Sequence, residues 1–364
     1  WCVVAAALAG WVAVALLRRG GSPGGGSAES AGGRAVLARP RGDAREYAWT
    51  VAFNAGLPEA GLEFRTAGQE REVSLHSGRA VAAGITTAGY TVVDVDVQNH
   101  SLQIPAGVEA VFIALHGEFG EDGAVQEILD GKGIPYTGSG PGSSRLSFDK
   151  VASKRRFEEH GIPTPCYEVL HPGDGRELPL PVVVKPARQG SSIGLRRVLR
   201  EADWAEALQE AFSYDEEVVV EAYIAGRELT VGVLDGRPLP VIEIAAPQTL
   251  YDYRAKYTSG VCDYRVPALI DDALRETLQA AGTRVYDVLG CRGFGRVDFR
   301  LSPEGDIFVL EMNTIPGFTE TSLLPKAAAA SGIPFPELCS RIMDLAAVSP
   351  TDPADLTPLT ISAP

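Results

Sequence analysis

The hydrophobic pattern turns regular from about residue 64. The stretch "EREVSLHSGRAVAAGITTAGY" carries Ala80, Val81, Gly84, Ile85 and Ala88 at helical spacing, with Gly89 as a stop. "TVVDVDV" alternates as a strand does, and "AVFIALHG" is a short unbroken apolar run suited to a parallel strand buried on both faces. "AVQEILDGKGIPYTG" predicts helix, glycine stop, then strand. Strands separated by helices point to an open α/β domain over residues 64–138. His116 closes "FIALHG" and falls at the carboxyl edge of such a sheet, where open α/β domains place ligands.

A second section, 139–221, opens with a helix around "SFDKVASKRRFEEHG" and continues through the strand "VVVKP", the helix "EADWAEALQEAF" and the strand "EEVVVEAYI". A third, 222–348, holds the antiparallel-looking strands "RELTVGVLDG" and "LPVIEI" and a helix at "DALRETLQAAGTRVYDVLG". A hairpin, "GRVDFRLSPEGDIFVLEMN", follows and turns at Pro303–Gly305. Residues 349–364 are rich in Pro and Thr and read as a frayed tail. No internal repeat is visible.

Residues 1–63 fit the pattern poorly. "CVVAAALAGWVAVALL" is apolar and precedes Arg18 and Arg19, but it is shorter than the roughly 20 residues a spanning helix needs. It reads as a membrane anchor, a signal-like segment, or upstream sequence foreign to the fold. A Gly/Ser-rich linker comes next, and "VAFNAGLPEAGLEFRTAGQ" has little strand character beyond Leu62 to Phe64.

Composition narrows the function. With 364 residues, 45% hydrophobic and 22% charged, the chain can bury two or three ordinary cores. A formal charge of -14 argues against a nucleic-acid binder but allows a small anionic substrate. Five scattered cysteines with no C-x-x-C fit reduced thiols in a cytoplasm, and five histidines with no H-E-x-x-H leave zinc without a motif.

Four stretches carry candidate chemistry. Glu311 and Asn313 leave one face of a strand, as do Arg296 and Asp298 on its hairpin partner. Their oxygens suit a hard cation such as Mg²⁺, although on spacing alone a solvated face with an Arg296 salt bridge is the better reading. In "VVVKPARQGSSIG" three β-branched residues bring Lys185 to the rim of a core, and the small residues after it let backbone N–H groups approach a phosphate. An ordinary turn with a solvated lysine is the alternative. "YDYRAKY", with Lys256 and Tyr257, is a poor core segment and reads as a loop at a site or as surface packing. Glu70 begins the helix of "EREVSL", as an acidic first turn or as something more.

Taken together, these stretches resemble the D-alanine–D-alanine ligases of the ATP-grasp superfamily. The likeness lies in "EREVSLHSG", "FIALHGEFGEDG", "PYTGSG", "SFDKVASK", "VVVKPARQGSSIG", "VEAYIAGRELTV", "YDYRAKY", "GFGRVDF" and "LEMNTIPGFTETSL", in order over about 64–348. It implies a three-domain α/β (α+β) ATP-grasp fold whose first domain is an open parallel sheet. It implies a cytoplasmic homodimer that joins two D-alanines for peptidoglycan synthesis, using ATP and two Mg²⁺ ions, with Mn²⁺ able to substitute. Same-fold ligases take D-lactate or D-serine as second substrate, and an ATP-binding protein without turnover is a further alternative.

The resemblance also assigns residues. Lys150 and Lys185 would hold ATP phosphates, Glu221, Ala222, Tyr223 and Ile224 the adenine, and Glu228 the ribose. Asp298, Glu311 and Asn313 would bind the metal. Lys256 would touch the transferring phosphoryl group, and Arg296 with the Gly317 backbone would stabilise the adduct. Glu70 would anchor the first substrate's ammonium, beside Ser191 and Tyr257, with His116 in a positioning role. Ser322 and Leu323 would receive the second carboxylate. Tyr257 favours dipeptide formation over D-alanyl-D-lactate. The family opens with an apolar strand and Gly-Gly turn just before the first helix; here "WVAVALLRRGGS" has that form but lies about fifty residues too early for a compact domain.

Overall fold

The computed structural model describes residues 13–17, 47–55, 67–98, 102–245 and 263–347, with side chains from Val73 onward except those of Asp96 and Gln98. The first sheet contains β1 (Ala13–Leu17), β2 (Tyr47–Ala55), β3 (Thr91–Gln98) and β4 (Phe112–Ile113), in the order β1-β3-β2-β4. β2 runs parallel to β3 and to β4, pairing Val51 with Phe112 and Ala52 with Ile113. The first parallel strand therefore exists, as "YAWTVAFNA", upstream of the region where the sequence suggested it; Leu62 to Phe64 lie outside the described residues. In the sequence Trp49, Val51 and Phe53 alternate with small or polar residues, the period of 2 that a strand favours. Residues 13–17 of the N-terminal apolar run form strand rather than helix, antiparallel to β3 and also hydrogen-bonded to β2.

The helix α1 (Ala67–Thr87) follows β2 and ends as its spacing predicts, with Gly89 at φ 95°. Residues 110–115 are all buried, yet only Phe112 and Ile113 join the ladder. After α2 (Ala124–Gly131) the expected strand at "IPYTG" is one isolated bridge at Tyr136, which pairs with Val111 and with Ala347. The helix expected around "SFDKVASKRRFEEHG" is split into α3 (Pro141–Phe148) and α4 (Lys150–Glu159). Asp149 makes the break: its backbone is extended, and its carboxylate accepts from Val151 N at 2.9 Å and Ala152 N at 3.0 Å to cap α4.

A second sheet is antiparallel throughout, made of β5 (Tyr167–Leu170), β6 (Val182–Pro186), β7 (Arg196–Val198) and β8 (Val218–Ala222) in the order β5-β8-β6-β7. Alternation decides its two faces. Val182, Val184, Val218 and Val220 pack on Ala207 and Ala211 of α5 (Trp204–Phe212). Lys185 and Glu221 take the other face, beside the small apolar contact of Val219 with Val151 on α4.

The third sheet contains β9 (Arg227–Leu234), β10 (Arg237–Pro238), β11 (Ile242–Ala245), β12 (Asp263–Arg265), β13 (Phe294–Leu301) and β14 (Ile307–Asn313). Its order is β12-β11-β9-β13-β14, with β10 on β9. The β13–β14 hairpin turns where the sequence predicts, with Gly305 at φ 97°. Val297, Phe299 and Leu301 face Leu278 and Val285 of α6 (Asp272–Val288) in one core. The helices α7 (Leu323–Ala330) and α8 (Phe335–Asp344) return to the first section, so Leu324, Leu338 and Ile342 share a core with Val81, Ile85 and Phe112. Among the described residues no helix is long and apolar enough to cross a membrane.

Candidate active site

The second and third sheets, with α3 and α4 between them, frame one cleft. Lys150 Nζ on α4 donates to the Gln189 carbonyl at 2.5 Å and stands 3.9 Å from Glu311 Oε2 on β14. Ser147, Phe148, Gly190, Asn313 and Glu121 line the same space. Burial pushes the Lys150 ammonium below its usual range, and Lys185 pushes the same way against the pull of Glu311. An anion entering here would favour the charged form.

Lys185 is buried, not solvated, and donates to Glu221 Oε1 at 2.8 Å. Glu221 sits diagonally across the β6–β8 ladder, since Val183 pairs with Glu221 and Lys185 with Val219. Its other oxygen lies 2.9 Å from Lys154 Nζ. Burial alone would raise the Glu221 carboxyl; the two lysines outweigh it and hold the carboxyl down at about 2. The loop after β6 places Ser191 and Ser192 at φ 53° and 59°, a left-handed backbone that non-glycine residues adopt at a cost and that concentrates at functional sites.

On the hairpin, Arg296 pairs with Asn313 and Asp298 with Glu311 in register. Arg296 donates two parallel hydrogen bonds to Asp298, at 2.9 and 2.8 Å; Thr230 Oγ1 adds one at 2.7 Å and Asn313 Nδ2 one at 3.0 Å. The salt bridge that spacing allowed is present, but on a buried face. Two carboxylates and an amide oxygen in register are hard donors of the kind Mg²⁺ accepts. Among the described residues no group of three or more His, Cys, Asp and Glu gathers to hold a metal. Three such side chains would leave an ion to take its remaining ligands from phosphate and water.

After β8 the chain turns through Ala222, Tyr223 and Ile224 to Gly226, whose φ of 113° brings it against the Leu301 carbonyl, where a Cβ would lie 2.1 Å away. Arg300 holds this turn, donating to the Ile224 carbonyl at 3.0 Å and the Gly226 carbonyl at 3.1 Å, and reaches Glu228 at 3.4 Å.

His116 is buried under the first sheet's edge. Its Nε2 is 3.1 Å from Ser77 Oγ, which also accepts from Phe318 N at 3.2 Å. Burial, against the pull of the Ile315 backbone, holds this imidazole down at about 4 and so keeps it neutral near pH 7. Gly317 lies between these anchors, and Ser322 caps its loop by accepting from Thr319 N at 3.0 Å. Leu323 opens α7 directly after Ser322.

The structure thus brings Lys150, Glu311 and Asn313 around one opening, with Lys185 and Glu221 near Lys150 and Asp298 bonded to Asn313, and sets His116, Gly317 and Ser322 along the seam with the first section. Glu70 lies in the first turn of α1, its side chain outside the described residues, and Lys256 and Tyr257 lie outside them altogether. Sequence reasoning passed over Lys154, Arg300 and Ser77. Arg300 had a signal, since Arg296, Asp298 and Arg300 alternate on one face of β13. Ser77 shares a helix face with Val81 and Ile85, a polar residue in an apolar stripe.

Comparison with known proteins finds relatives over most of the chain. Family models described as D-ala D-ala ligase C-terminus and D-ala D-ala ligase N-terminus match residues 158–344 and 96–139. A D-alanine–D-alanine ligase of Syntrophotalea carbinolica is 50% identical over 279 residues, covering 75% of this chain and 91% of that protein. The crystal structure of the D-alanine–D-alanine ligase of Bacillus anthracis complexed with ATP superposes with TM-score 0.68 at 29% identity, over 81% of this chain and 96% of that one. The VanG D-Ala:D-Ser ligase of Enterococcus faecalis gives 0.70 at 29% identity, over 81% and 98%.

Proposed function

This chain belongs to the D-alanine–D-alanine ligase family and joins two D-alanines with ATP for peptidoglycan synthesis; we propose that it does so in the cleft between its second and third sheets. The carboxylate of the first D-alanine takes the γ-phosphoryl group of ATP to give an acyl phosphate. The amine of the second attacks that carbonyl, and phosphate leaves the tetrahedral adduct. A carboxylate must approach a polyanion, so charge has to be offset and water kept out.

Lys150 and Lys185 face the ATP phosphates. Residues 221–224 form the adenine-binding turn, and Glu228 receives the ribose. Asp298, Glu311 and Asn313 hold Mg²⁺, which offsets phosphate charge when bound. Arg296, oriented by Asp298, and the Gly317 backbone lie toward the adduct. Ser322 and Leu323, at the start of α7, receive the second carboxylate, and His116, neutral between Ser77 and Ile315, keeps the Gly317 loop in place. Glu70, Ser191, Lys256 and Tyr257 take their roles from motif position: ammonium anchor with its hydrogen-bonded neighbours, and contact to the moving phosphoryl group.

The same reading divides the chain at residues 64–138, 139–221 and 222–348 and makes it a cytoplasmic homodimer, in line with its substrate ATP and its scattered thiols. The observation that carries the proposal is the convergence of buried Lys150 with Glu311 and Asn313 on one opening, with the Lys185 ammonium near enough to act on Lys150. Phosphate release from ATP, with D-alanine, D-lactate and D-serine offered in turn, tests it. Turnover with D-alanine alone is expected. Turnover only when D-lactate or D-serine is added overturns the dipeptide assignment, and nucleotide binding without release under any mixture overturns catalysis.

A further inference from the structure

Lys154 has no part in the roles above, yet its side chain is 0% exposed. Its ammonium donates to Thr164 Oγ1 at 2.6 Å, lies 2.9 Å from Glu221 Oε2 and sits 5.1 Å above the Tyr167 ring. Thr164 is fixed in turn, donating to the Val309 carbonyl at 2.9 Å. A buried ammonium is costly unless paired, and an apolar side chain of similar length would fill this space without that cost. The charge at this position therefore asks for a reason.

Counting charges supplies one. Glu221 carries one negative charge between two ammoniums, Lys154 on one oxygen and Lys185 on the other. Without Lys154, Lys185 and Glu221 would form a closed neutral pair, and a phosphate approaching Lys185 would meet a cation already compensated. With Lys154 present, the cluster keeps a net charge of +1. Lys185 in turn acts on Lys150, which stands one helical turn before Lys154 on the same face of α4.

Resting on the reading that Lys185 faces the ATP phosphates, we propose that Lys154 is a positioning residue for nucleotide charge: it neutralises Glu221 from behind and so leaves Lys185 electrostatically available to the triphosphate. Glu158, the other acid that acts on Lys154, is exposed and accepts from Tyr167 OH at 3.1 Å, so it is screened by solvent and leaves the charge count inside the buried network unchanged. Consistent with this, the two lysines keep Glu221 ionised despite its burial.

The test measures dissociation constants for ATP and for adenosine, and takes their ratio as the contribution of the phosphates. Lys154→Met is expected to weaken ATP binding at least tenfold, raising KM for ATP more than it lowers kcat, with adenosine nearly unchanged. Glu221→Gln is expected to move the ratio the opposite way, and Lys154→Met/Glu221→Gln to bring it back near wild type. Lys154→Arg is expected to retain the wild-type ratio. An unchanged ratio in Lys154→Met, or parallel loss of ATP and adenosine, overturns the proposal. Should Lys154→Met not fold, the Glu221→Gln and double-variant ratios decide, since a purely structural lysine gives no opposite shifts. Lys185→Met guards the premise: if it leaves the ratio unchanged, the phosphate role of Lys185 itself fails, whereas a fall there beside an unchanged Lys154→Met ratio rejects only the role of Lys154.

Discussion

Burial pushes the His116 imidazole down to about 4, and the nearby Arg296 charge adds to the effect, although the Ile315 backbone bond opposes both. Between that value and the ordinary 6.5 of an unfolded chain, the unfolded state binds a proton that the folded state refuses. Stability therefore falls as pH drops through this window, by about 2 kcal/mol from pH 7 to pH 5. Urea unfolding at the two pH values checks this, and His116→Gln is expected to remove the slope. Glu221 acts lower: its carboxyl, held at about 2 against an ordinary 4.5, contributes stability that is complete above 4.5 and disappears as pH falls toward 2. Glu311 is different, because its partner Lys150 stands at 3.9 Å and about a third of its side chain is exposed. Glu311→Gln should cut kcat roughly 100-fold while the melting temperature barely moves, as for loss of one charge-stabilising group. Phosphate release and thermal melting separate the two effects.

Elements with long periodic patterns were legible: α1, β3, β6, α5, β8, β9, α6 and the β13–β14 hairpin stand where alternation and helical spacing put them. Strands of two to four residues, such as β5, β7 and β10, carry too few positions for a period to show. The split between α3 and α4 was hidden because Asp149 looks like any helical aspartate until its capping geometry is seen. Much of the site was legible through motifs, whereas Lys154 was not. It lies in a strongly charged helix that reads as solvated, and its partner Glu221 is distant in sequence. The contact of α1 with α8 gives a test at this scale. A Cβ on Gly84 would come within 2.9 Å of Cys339 Sγ and 3.1 Å of the Phe335 ring, so Gly84→Leu overfills the interface and should cost about 2 kcal/mol or more. Denaturant titration measures that loss, and KM for ATP should stay as it was, because the cleft is elsewhere.

Across the whole molecule, one core crosses section boundaries. Phe112 from the first sheet, Phe294 from the third and Phe318 from the loop before α7 meet with ring centroids 5.3 to 6.1 Å apart. Phe318→Ala should destabilise by about 3–5 kcal/mol, the usual cost of emptying a buried aromatic site. Because Phe318 also donates its backbone N–H to Ser77, the loss should appear in a single transition, seen alike by tryptophan fluorescence and far-ultraviolet circular dichroism. The return of α8 to α1 and the bridge from Ala347 to Tyr136 mean that the earliest section gains its last apolar wall from the latest residues. During synthesis on the ribosome, the second sheet has all its strands by residue 222 and can settle while translation continues. The side of α1 that meets α8 stays uncovered until α8 clears the exit tunnel, and it is there that a chaperone would find the nascent chain.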